Sequence, residues 1–258
     1  MVTEHPATSP AAARSDPGAW FRVHRRTRKP RLRLVCFPHA GGTAQLFDGW
    51  PALLPADVEL LAVRYPGRQN RILESFAADL PTLAEQIHDA LQPYLDRPLA
   101  LFGHSMGAAV AYEVALRLDS RGITPTRLLV SGRAAPHQAP ATELHTGDDE
   151  TLIAGVRQLG GPGAGAYDDP DLRELILPAL RDDYRLIETY RPRHPKPQRA
   201  PITAYSGESD LHCPPDAIRA WSELTAPGSF EHRWFPGGHF YLVPFEPELL
   251  ADITTRLT

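Results

Sequence analysis

Apolar residues follow two spacings that alternate along most of the chain. Short continuous apolar runs predict buried strands, and apolar positions three or four residues apart predict helices. The predicted strands cover residues 19–24, 32–37, 58–63, 99–102, 127–131, 201–205 and 230–235, and the predicted helices cover residues 46–54, 79–95, 108–118, 214–224 and 246–257. This alternation predicts an α/β domain, with a mostly parallel central sheet and helices on both of its faces.

The alternation stops after residue 133 and resumes at residue 200. Two amphipathic segments, residues 149–159 and 170–190, flank a break rich in glycine and proline. Because the stretch is too long for a simple connection, we predict a mobile helical lid inserted between two core strands. Its inner apolar face, with Leu175 and Ile176, is expected to line a substrate chamber together with His39 of the core. The predicted domains are a disordered leader at residues 1–18, a core at residues 19–133 and 200–258, and the lid at residues 134–199.

Length and charge limit the classes of protein to which the chain can belong. A length of 258 residues with 42% hydrophobic residues fits one large α/β domain. Residues 1–33 carry eight Arg or Lys against two acids, so they hold a charge of +6, and the net charge of −4 leaves −10 for the remainder. A basic arm can bind nucleic acid, but this arm has no interleaved aromatic residues and no recognition motif. We therefore expect no nucleic-acid partner.

Hydropathy and cysteine usage predict a cytoplasmic protein. No apolar segment approaches the length of a membrane span, and the leader lacks the apolar region of a signal peptide. Cys36 and Cys213 are isolated and have no metal-ligand spacing, which suits unpaired thiols in a reducing compartment. We expect no membrane partner, no metal, no cofactor and a monomeric state.

A Gly-x-Ser-x-Gly motif follows the strand predicted at residues 99–102 and precedes a predicted helix. This order of strand, tight turn and helix is the setting of a nucleophile elbow, which exposes the serine hydroxyl. Gly103 and Gly107 lack the Cβ atoms for which such a turn has no room. The sequence therefore predicts a nucleophilic Ser105, and the N–H of Met106 at the helix N-terminus is predicted to stabilise an oxyanion.

A serine nucleophile needs a general base, and the base needs a carboxylate that orients it. Active sites of open α/β sheets lie beyond the carboxyl ends of the strands, in this fold in the order Ser, Asp or Glu, His. His239 follows the last predicted strand, whereas His232 lies inside it and His104 adjoins the serine. We therefore predict His239 as the base.

Asp210 is the predicted carboxylate because it follows the strand at residues 201–205. Glu208, which lies earlier in the turn, and Asp216, in the first turn of a helix, remain alternatives. The glycine-containing loop after the first strong strand is predicted to supply a second oxyanion donor. Ala40 N–H is the first choice, with His39 and Gly41 as neighbouring alternatives. No partners lie at ligand spacing from His39, so we do not expect it to bind a metal.

Five motifs follow one another along the chain: residues 37–42 (FPHAGG), 65–71 (YPGRQNR), 103–107 (GHSMG), 177–184 (LPALRDDY) and 237–240 (GGHF). In this order they resemble the type II thioesterases, the stand-alone editing enzymes of polyketide and non-ribosomal peptide synthesis. The similarity covers about residues 19–255, and the leader is longer than is usual in the family. The resemblance implies an α/β-hydrolase fold and a triad at Ser105, Asp210 and His239. It also implies hydrolysis of aberrant or stalled acyl groups from the phosphopantetheine arm of acyl or peptidyl carrier domains.

Two other functions remain as alternatives. One is a carboxylesterase or lipase-like serine hydrolase, and the other is a non-catalytic α/β-hydrolase that serves as a scaffold. Basic residues at the C-terminal end of the lid are expected to meet an acidic carrier surface or the phosphate of the arm. They are Arg191, Arg193, Lys196 and Arg199.

Overall fold

The computed structural model describes residues 17–192 and 194–257, in which strands and helices alternate as predicted. The strands are β1 (Phe21–Val23), β2 (Leu32–Phe37), β3 (Val58–Val63), β4 (Leu99–His104), β5 (Leu128–Ser131), β6 (Ile202–Gly207) and β7 (Phe230–Phe235). The helices are α1 (Pro17–Trp20), α2 (Trp50–Leu53), α3 (Leu80–Ala90), α4 (Met106–Ser120), α5 (Asp149–Gln158), α6 (Pro170–Thr189), α7 (Pro215–Arg219) and α8 (Glu246–Arg256).

The seven strands form one sheet in the order β1-β3-β2-β4-β5-β6-β7. β1 lies at an edge and pairs antiparallel with β3, and every other neighbouring pair is parallel. The predicted, mostly parallel sheet of an α/β fold is therefore confirmed. Because parallel strands end at the same edge, the segments that follow β2, β4, β6 and β7 meet there.

Alternate residues of β2 show how the sheet is buried on both faces. Val35 and Phe37 join the apolar cluster that packs against α3 and α4, whereas Leu34 and Cys36 join the cluster that packs against α8. All six residues of β2 are buried, as expected for a parallel strand with helices on both sides.

The predicted lid segments form α5 and α6, between β5 and β6. Each begins at an aspartate that caps the helix, because the Asp148 carboxylate accepts from Thr151 N–H and that of Asp169 accepts from Leu172 N–H. The two halves of α6 differ in burial on either side of Pro178. Leu175 before it is 54% exposed, whereas most residues after it are buried and the last turns join the core cluster.

Several boundaries differ from those predicted. The predicted disordered leader lies outside the described residues except for Pro17 and Gly18, which begin α1. The predicted helix over residues 46–54 is a 3-10 turn, Ala44–Phe47, followed by the short α2, because Pro51 has no N–H to continue one helix through this stretch. Within the described ranges, every helix is too short or too polar to cross a membrane.

Candidate active site

Ser105 lies at a sharp turn between β4 and α4. Its φ of +56° is rare for a residue with a side chain, and such backbone strain clusters at functional sites. Its N–H donates to the carbonyl of Ser131 over 2.8 Å, which ties the turn to the end of β5. A Cβ at Gly103 would lie 2.1 Å from Gly107 O, and one at Gly107 would lie 2.1 Å from Phe37 O. Only glycines fit at these two positions, as the motif predicts.

Asp210 and His239 form a buried hydrogen-bonded pair beyond the ends of β6 and β7. Nδ1 of His239 lies 2.8 Å from Oδ2 of Asp210, and the N–H of His212 donates to Oδ1 over 3.0 Å. Burial alone would raise the pKa of Asp210, but the hydrogen bonds and charge of His239 and the N–H of His212 lower it below its ordinary value. Asp210 therefore remains ionised at neutral pH.

The competing carboxylates point elsewhere. Glu208 is exposed, and Asp216 is exposed and pairs with Arg219 over 3.0 Å within α7. Neither has a hydrogen bond or ion pair with His239, whose carboxylate partner among the described residues is Asp210.

Ser105 and His239 line one cavity together with residues of α6, among them Ile176. If Nδ1 of His239 donates to Asp210, Nε2 is left as an acceptor, and it is buried with no hydrogen-bond partner among residues 17–192 and 194–257. The cavity has a volume of about 470 Å³, within the usual range of about 300–1,000 Å³ for ligand pockets. An unpaired, buried imidazole nitrogen beside a strained serine is an arrangement that can accept a proton from the hydroxyl.

Two backbone N–H groups border an adjoining pocket, which Ser105 and His239 also line. In the part of the chain that the structure describes, neither Ala40 N–H nor Met106 N–H donates a hydrogen bond, and both residues line this pocket with Ser105. The Gly41 N–H, one of the sequence-based alternatives, donates to Oδ2 of Asp183 over 2.7 Å and is therefore occupied. The arrangement leaves Ala40 and Met106 as free donors.

Two further histidines pack beside His239 and remain neutral. The rings of His39 and His104 lie 6.0 Å apart, and that of His104 lies 5.0 Å from His239. Burial and the nearby His239 lower the pKa of His39 to about 3 and that of His104 well below its ordinary value. Neutral neighbours do not oppose a charge on His239, which a protonated histidine would.

The alternative bases have other contacts. Nδ1 of His104 lies 2.9 Å from Ser131 Oγ, which in turn lies 2.6 Å from the Tyr241 hydroxyl. His232 is exposed on β7 and stacks on Phe230.

The predicted substrate-contacting residues are only partly brought together. His39 and Ile176 line the cavity, but the exposed Leu175 is not among its lining residues. Arg191 lines the adjoining pocket, and its guanidinium donates to backbone carbonyls of Ile187, Tyr190 and Pro140. Arg193 lies outside the described residues.

Two sets of described residues bring metal-ligating atoms together, one at Glu85, His88 and Asp89 and one at the site itself. Single ligand atoms of Asp210, Cys213 and His239 lie within 4.8 Å of one another, and all three residues are buried. Two of these groups already bond each other, so the cluster is explained without a metal.

Sequence reasoning missed a buried ion pair beside the cavity. Arg68 donates two hydrogen bonds to Asp183, NH1 to Oδ2 over 2.6 Å and NH2 to Oδ1 over 2.7 Å. Both residues belong to motifs that carry the family resemblance, but nothing in the sequence shows that they touch. The signal that could have found them is an aspartate at a helix position flanked by core leucines.

Comparisons with known proteins identify the family to which the chain belongs. A family model described as "Thioesterase domain" matches residues 32–257. The chain belongs to the thioesterase family. Thioesterase PikA5 of Streptomyces venezuelae is 40% identical to it over 244 residues, which cover 94% of this chain and 86% of that protein.

Solved structures of type II thioesterases resemble this thioesterase over nearly its whole length. The type II thioesterase BorB from the borrelidin biosynthetic cluster is 41% identical, with a TM-score of 0.86 over 93% of this chain and 98% of BorB. RedJ, a thioesterase from the prodiginine pathway in Streptomyces coelicolor, is 39% identical, with a TM-score of 0.82 over 98% of this chain and 91% of RedJ. The predicted family and the α/β-hydrolase fold are therefore confirmed.

Proposed function

We propose that this thioesterase hydrolyses aberrant or stalled acyl groups from the phosphopantetheine arm of acyl or peptidyl carrier domains. The observation that carries the proposal is the buried pair of Asp210 and His239 in one cavity with the strained Ser105. Similarity to type II thioesterases of biosynthetic clusters supports the choice of a carrier-bound thioester as substrate.

The proposed reaction is acyl transfer to water through an acyl-enzyme. Ser105 Oγ attacks the thioester carbonyl while Nε2 of His239 takes its proton, and Asp210 holds the imidazole tautomer and stabilises the imidazolium. The N–H groups of Ala40 and Met106 stabilise the oxyanion, each with an effect of about 3–4 kcal/mol on the barrier. His239 protonates the leaving thiolate, and a water activated by His239 then releases the acid.

Purified protein offered three substrates tests this function. We expect hydrolysis of an acyl-carrier thioester and of an acyl-pantetheine, with a higher kcat/KM on the carrier, and weaker hydrolysis of a matched oxygen ester. Ser105→Ala should abolish all three activities and leave the fold intact. Preference for the oxygen ester would favour the carboxylesterase alternative, and no hydrolysis by the wild type would favour a scaffold.

The carboxylate assignment has a matched control in the same turn. Asp210→Asn should lower kcat by about 10²- to 10⁴-fold, because the imidazole loses the partner that fixes its tautomer. Glu208→Gln, an exposed change two residues away, should stay within twofold of the wild type. Steady-state kinetics on an acyl-pantetheine measures both, and the reverse pattern would make Glu208 the orienting carboxylate.

Docking of the carrier domain belongs to the same proposal. Lys196 and Arg199 line a surface groove with Tyr112, and this groove is the place where an acidic carrier surface would bind. Arg191 is exposed and lines the pocket that Ser105 also lines, where the arm would pass. Reversing the charge of Lys196 and Arg199 should raise KM for the carrier-bound substrate and leave KM for acyl-pantetheine unchanged. Equal effects on both substrates would exclude docking at this groove.

We further propose that the enzyme acts as a monomer in the cytoplasm. Cys36 and Cys213 are both free and buried, which suits a reducing compartment. Sedimentation at working concentration tests the monomeric state, and a dimer would contradict it.

A further inference from the structure

The turn that carries Ala40 is held by a residue of the lid helix. Gly42 N–H donates to His39 O over 2.9 Å, which closes a four-residue turn. Gly41 has a φ of +74° at the third position, as a type II turn requires. Oδ2 of Asp183, on α6, accepts from the Gly41 N–H over 2.7 Å. This bond fixes the peptide plane that follows Ala40.

Arg68 completes this attachment from the other side. Its NH1 donates to Asp183 Oδ2 and also to Gly42 O over 3.1 Å, so one guanidinium contacts both the carboxylate and the turn. Asp183 is 1% exposed and Arg68 is 8% exposed. Two parallel hydrogen bonds between an arginine and a carboxylate restrict the orientation of both groups. The carboxylate therefore has little freedom to leave Gly41.

Close packing of α6 on the turn restricts it further. A Cβ at Gly41 would meet Leu180 Cδ1 at 2.7 Å, and Leu180 lies one helical turn before Asp183. The contacts of Asp183 and Leu180 place the same face of α6 against the turn. The position of Ala40 N–H thus depends on how α6 is seated.

We propose that Asp183, oriented by Arg68, is a positioning residue that sets the oxyanion donor at Ala40 from the lid helix. This inference rests on the proposed serine mechanism but is not part of it, since neither side chain lines the cavity with Ser105. By holding the Gly41 N–H, Asp183 keeps it out of the cavity and leaves the Ala40 N–H free. When α6 lifts from the core, the donor loses its position.

Arg185 supplies a matched control on the same helix. Its guanidinium donates to the carbonyls of Ala77 and Ala78, each over 2.7 Å, so it also ties α6 to the core. It has no contact with the turn at residues 39–42. Loss of Arg185 therefore removes one attachment of α6 to the core but leaves Asp183 and Leu180 in contact with the turn.

The test compares Asp183→Asn with Arg185→Gln in the full chain. We expect Asp183→Asn to lower kcat about 10- to 100-fold with less than a threefold change in KM. This loss of kcat is smaller than the loss of about 10²- to 10³-fold that follows removal of an oxyanion donor. Arg185→Gln should lower the melting temperature but keep kcat within twofold. Both p-nitrophenyl butyrate and an acyl-pantetheine serve as substrates. Because the ester forms the same oxyanion, the inference is tested even if thioester hydrolysis fails.

A second readout separates positioning from general stability. An acyl-pantetheine analogue with a trifluoromethyl ketone in place of the thioester adds Ser105 Oγ and forms an oxyanion. The matching amide forms no oxyanion and binds only as a mimic of the ground-state substrate. Asp183→Asn should weaken binding of the ketone by the same factor as kcat and leave binding of the amide unchanged. Equal weakening for both ligands, or a loss of kcat no larger than that of Arg185→Gln, overturns the inference.

Arg68→Lys decides the matter if Asp183→Asn does not fold. Lysine keeps a cation beside Asp183 but cannot hold both of its oxygens and Gly42 O with a planar fork. We expect kcat to fall about threefold to tenfold with KM unchanged, together with weaker binding of the ketone. A kcat equal to that of the wild type would overturn the inference by this route.

Discussion

The two candidate oxyanion donors, the N–H groups of Ala40 and Met106, line one pocket and are held in different ways. Met106 N–H is set locally, because Ser105 is strained and the glycines on either side admit close backbone contacts. Ala40 N–H is set at long range, because Asp183 binds the next N–H from 142 residues further along the chain. The elbow is held by backbone contacts with the ends of β2 and β5, whereas the turn is held by a side chain of α6.

This difference indicates how the lid and the site are related. The contacts that hold the elbow come from Phe37 at the end of β2 and Ser131 at the end of β5, not from α6. The turn keeps its shape only while the second half of α6, with Leu180 and Asp183, is packed against it. We therefore propose that one half of the oxyanion site, at the elbow, is constant and that the other half, at the turn, is conditional on the packing of α6.

Gly107→Ala should produce the largest effect, because it alters the constant half. The new Cβ would meet backbone at Phe37 O, which cannot move aside, so we expect loss of at least about 3 kcal/mol of stability and of nearly all activity. Thermal unfolding and kcat on p-nitrophenyl butyrate measure both effects. Gly165→Ala, where nothing lies within 4 Å of the new Cβ, should leave both unchanged. A near-normal Gly107→Ala enzyme would show that the elbow is not rigid.

Gly41→Ala should have a smaller effect on stability and a clear effect on rate. The obstructing atom is the end of a flexible Leu180 side chain, so the strain of a positive φ, about 1–2 kcal/mol, dominates the stability loss. We expect kcat to fall about tenfold or more because the turn shifts. Gly163→Ala shares a positive φ of +84° but has open space, so it should lose similar stability and keep kcat. Equal kcat values for the two variants would contradict the role of the turn.

Acid should destabilise the protein through the neutral histidines beside the turn. Because the folded-state pKa of His39 is lowered to about 3, its contribution is complete above the unfolded pKa of about 6.5 and is lost as pH falls from there toward 3. The loss is up to about 1.4 kcal/mol per pH unit for each such histidine. Urea unfolding at pH 7 and pH 5 should show a smaller difference for His39→Gln than for the wild type. An unchanged difference would mean that His39 is charged in the folded state.

Leu175→Ala should have the smallest effect, because it changes the exposed half of α6. Exposed substitutions usually alter stability by less than about 0.5 kcal/mol, whereas a buried Leu→Ala change at Leu180 should cost about 2–5 kcal/mol. We expect kcat of Leu175→Ala to stay within twofold of the wild type. A large loss of kcat would show that the first half of α6 also shapes the site.

Local patterns predicted the constant half of the site well. The apolar run before Gly103 and the helical period after Gly107 place a strand, a turn and a helix around Ser105, and the structure has these elements. Strand ends likewise predicted that Asp210 and His239 would lie near each other, and they are hydrogen bonded. Such features depend on residues close in the sequence or on the ends of parallel strands.

The conditional half could not be predicted because it depends on which side chains face each other across the fold. The period of α6 did not show that Leu175 faces solvent and Leu180 faces the turn, since both belong to an amphipathic pattern. Choosing between Gly41 N–H and Ala40 N–H required the contact with Asp183. Contacts of this kind appear only when the helix is docked on the sheet.

The proposed serine mechanism at Ser105 is tested by identifying the residue that becomes acylated. The enzyme is mixed with a slowly hydrolysed acyl-pantetheine, quenched in acid and mapped by peptide mass spectrometry. We predict one added acyl group on the peptide that contains Ser105, and none in Ser105→Ala. Hydrolysis that proceeds with no acyl group on Ser105, or with the acyl group on Cys213 in the same cavity, would contradict the account.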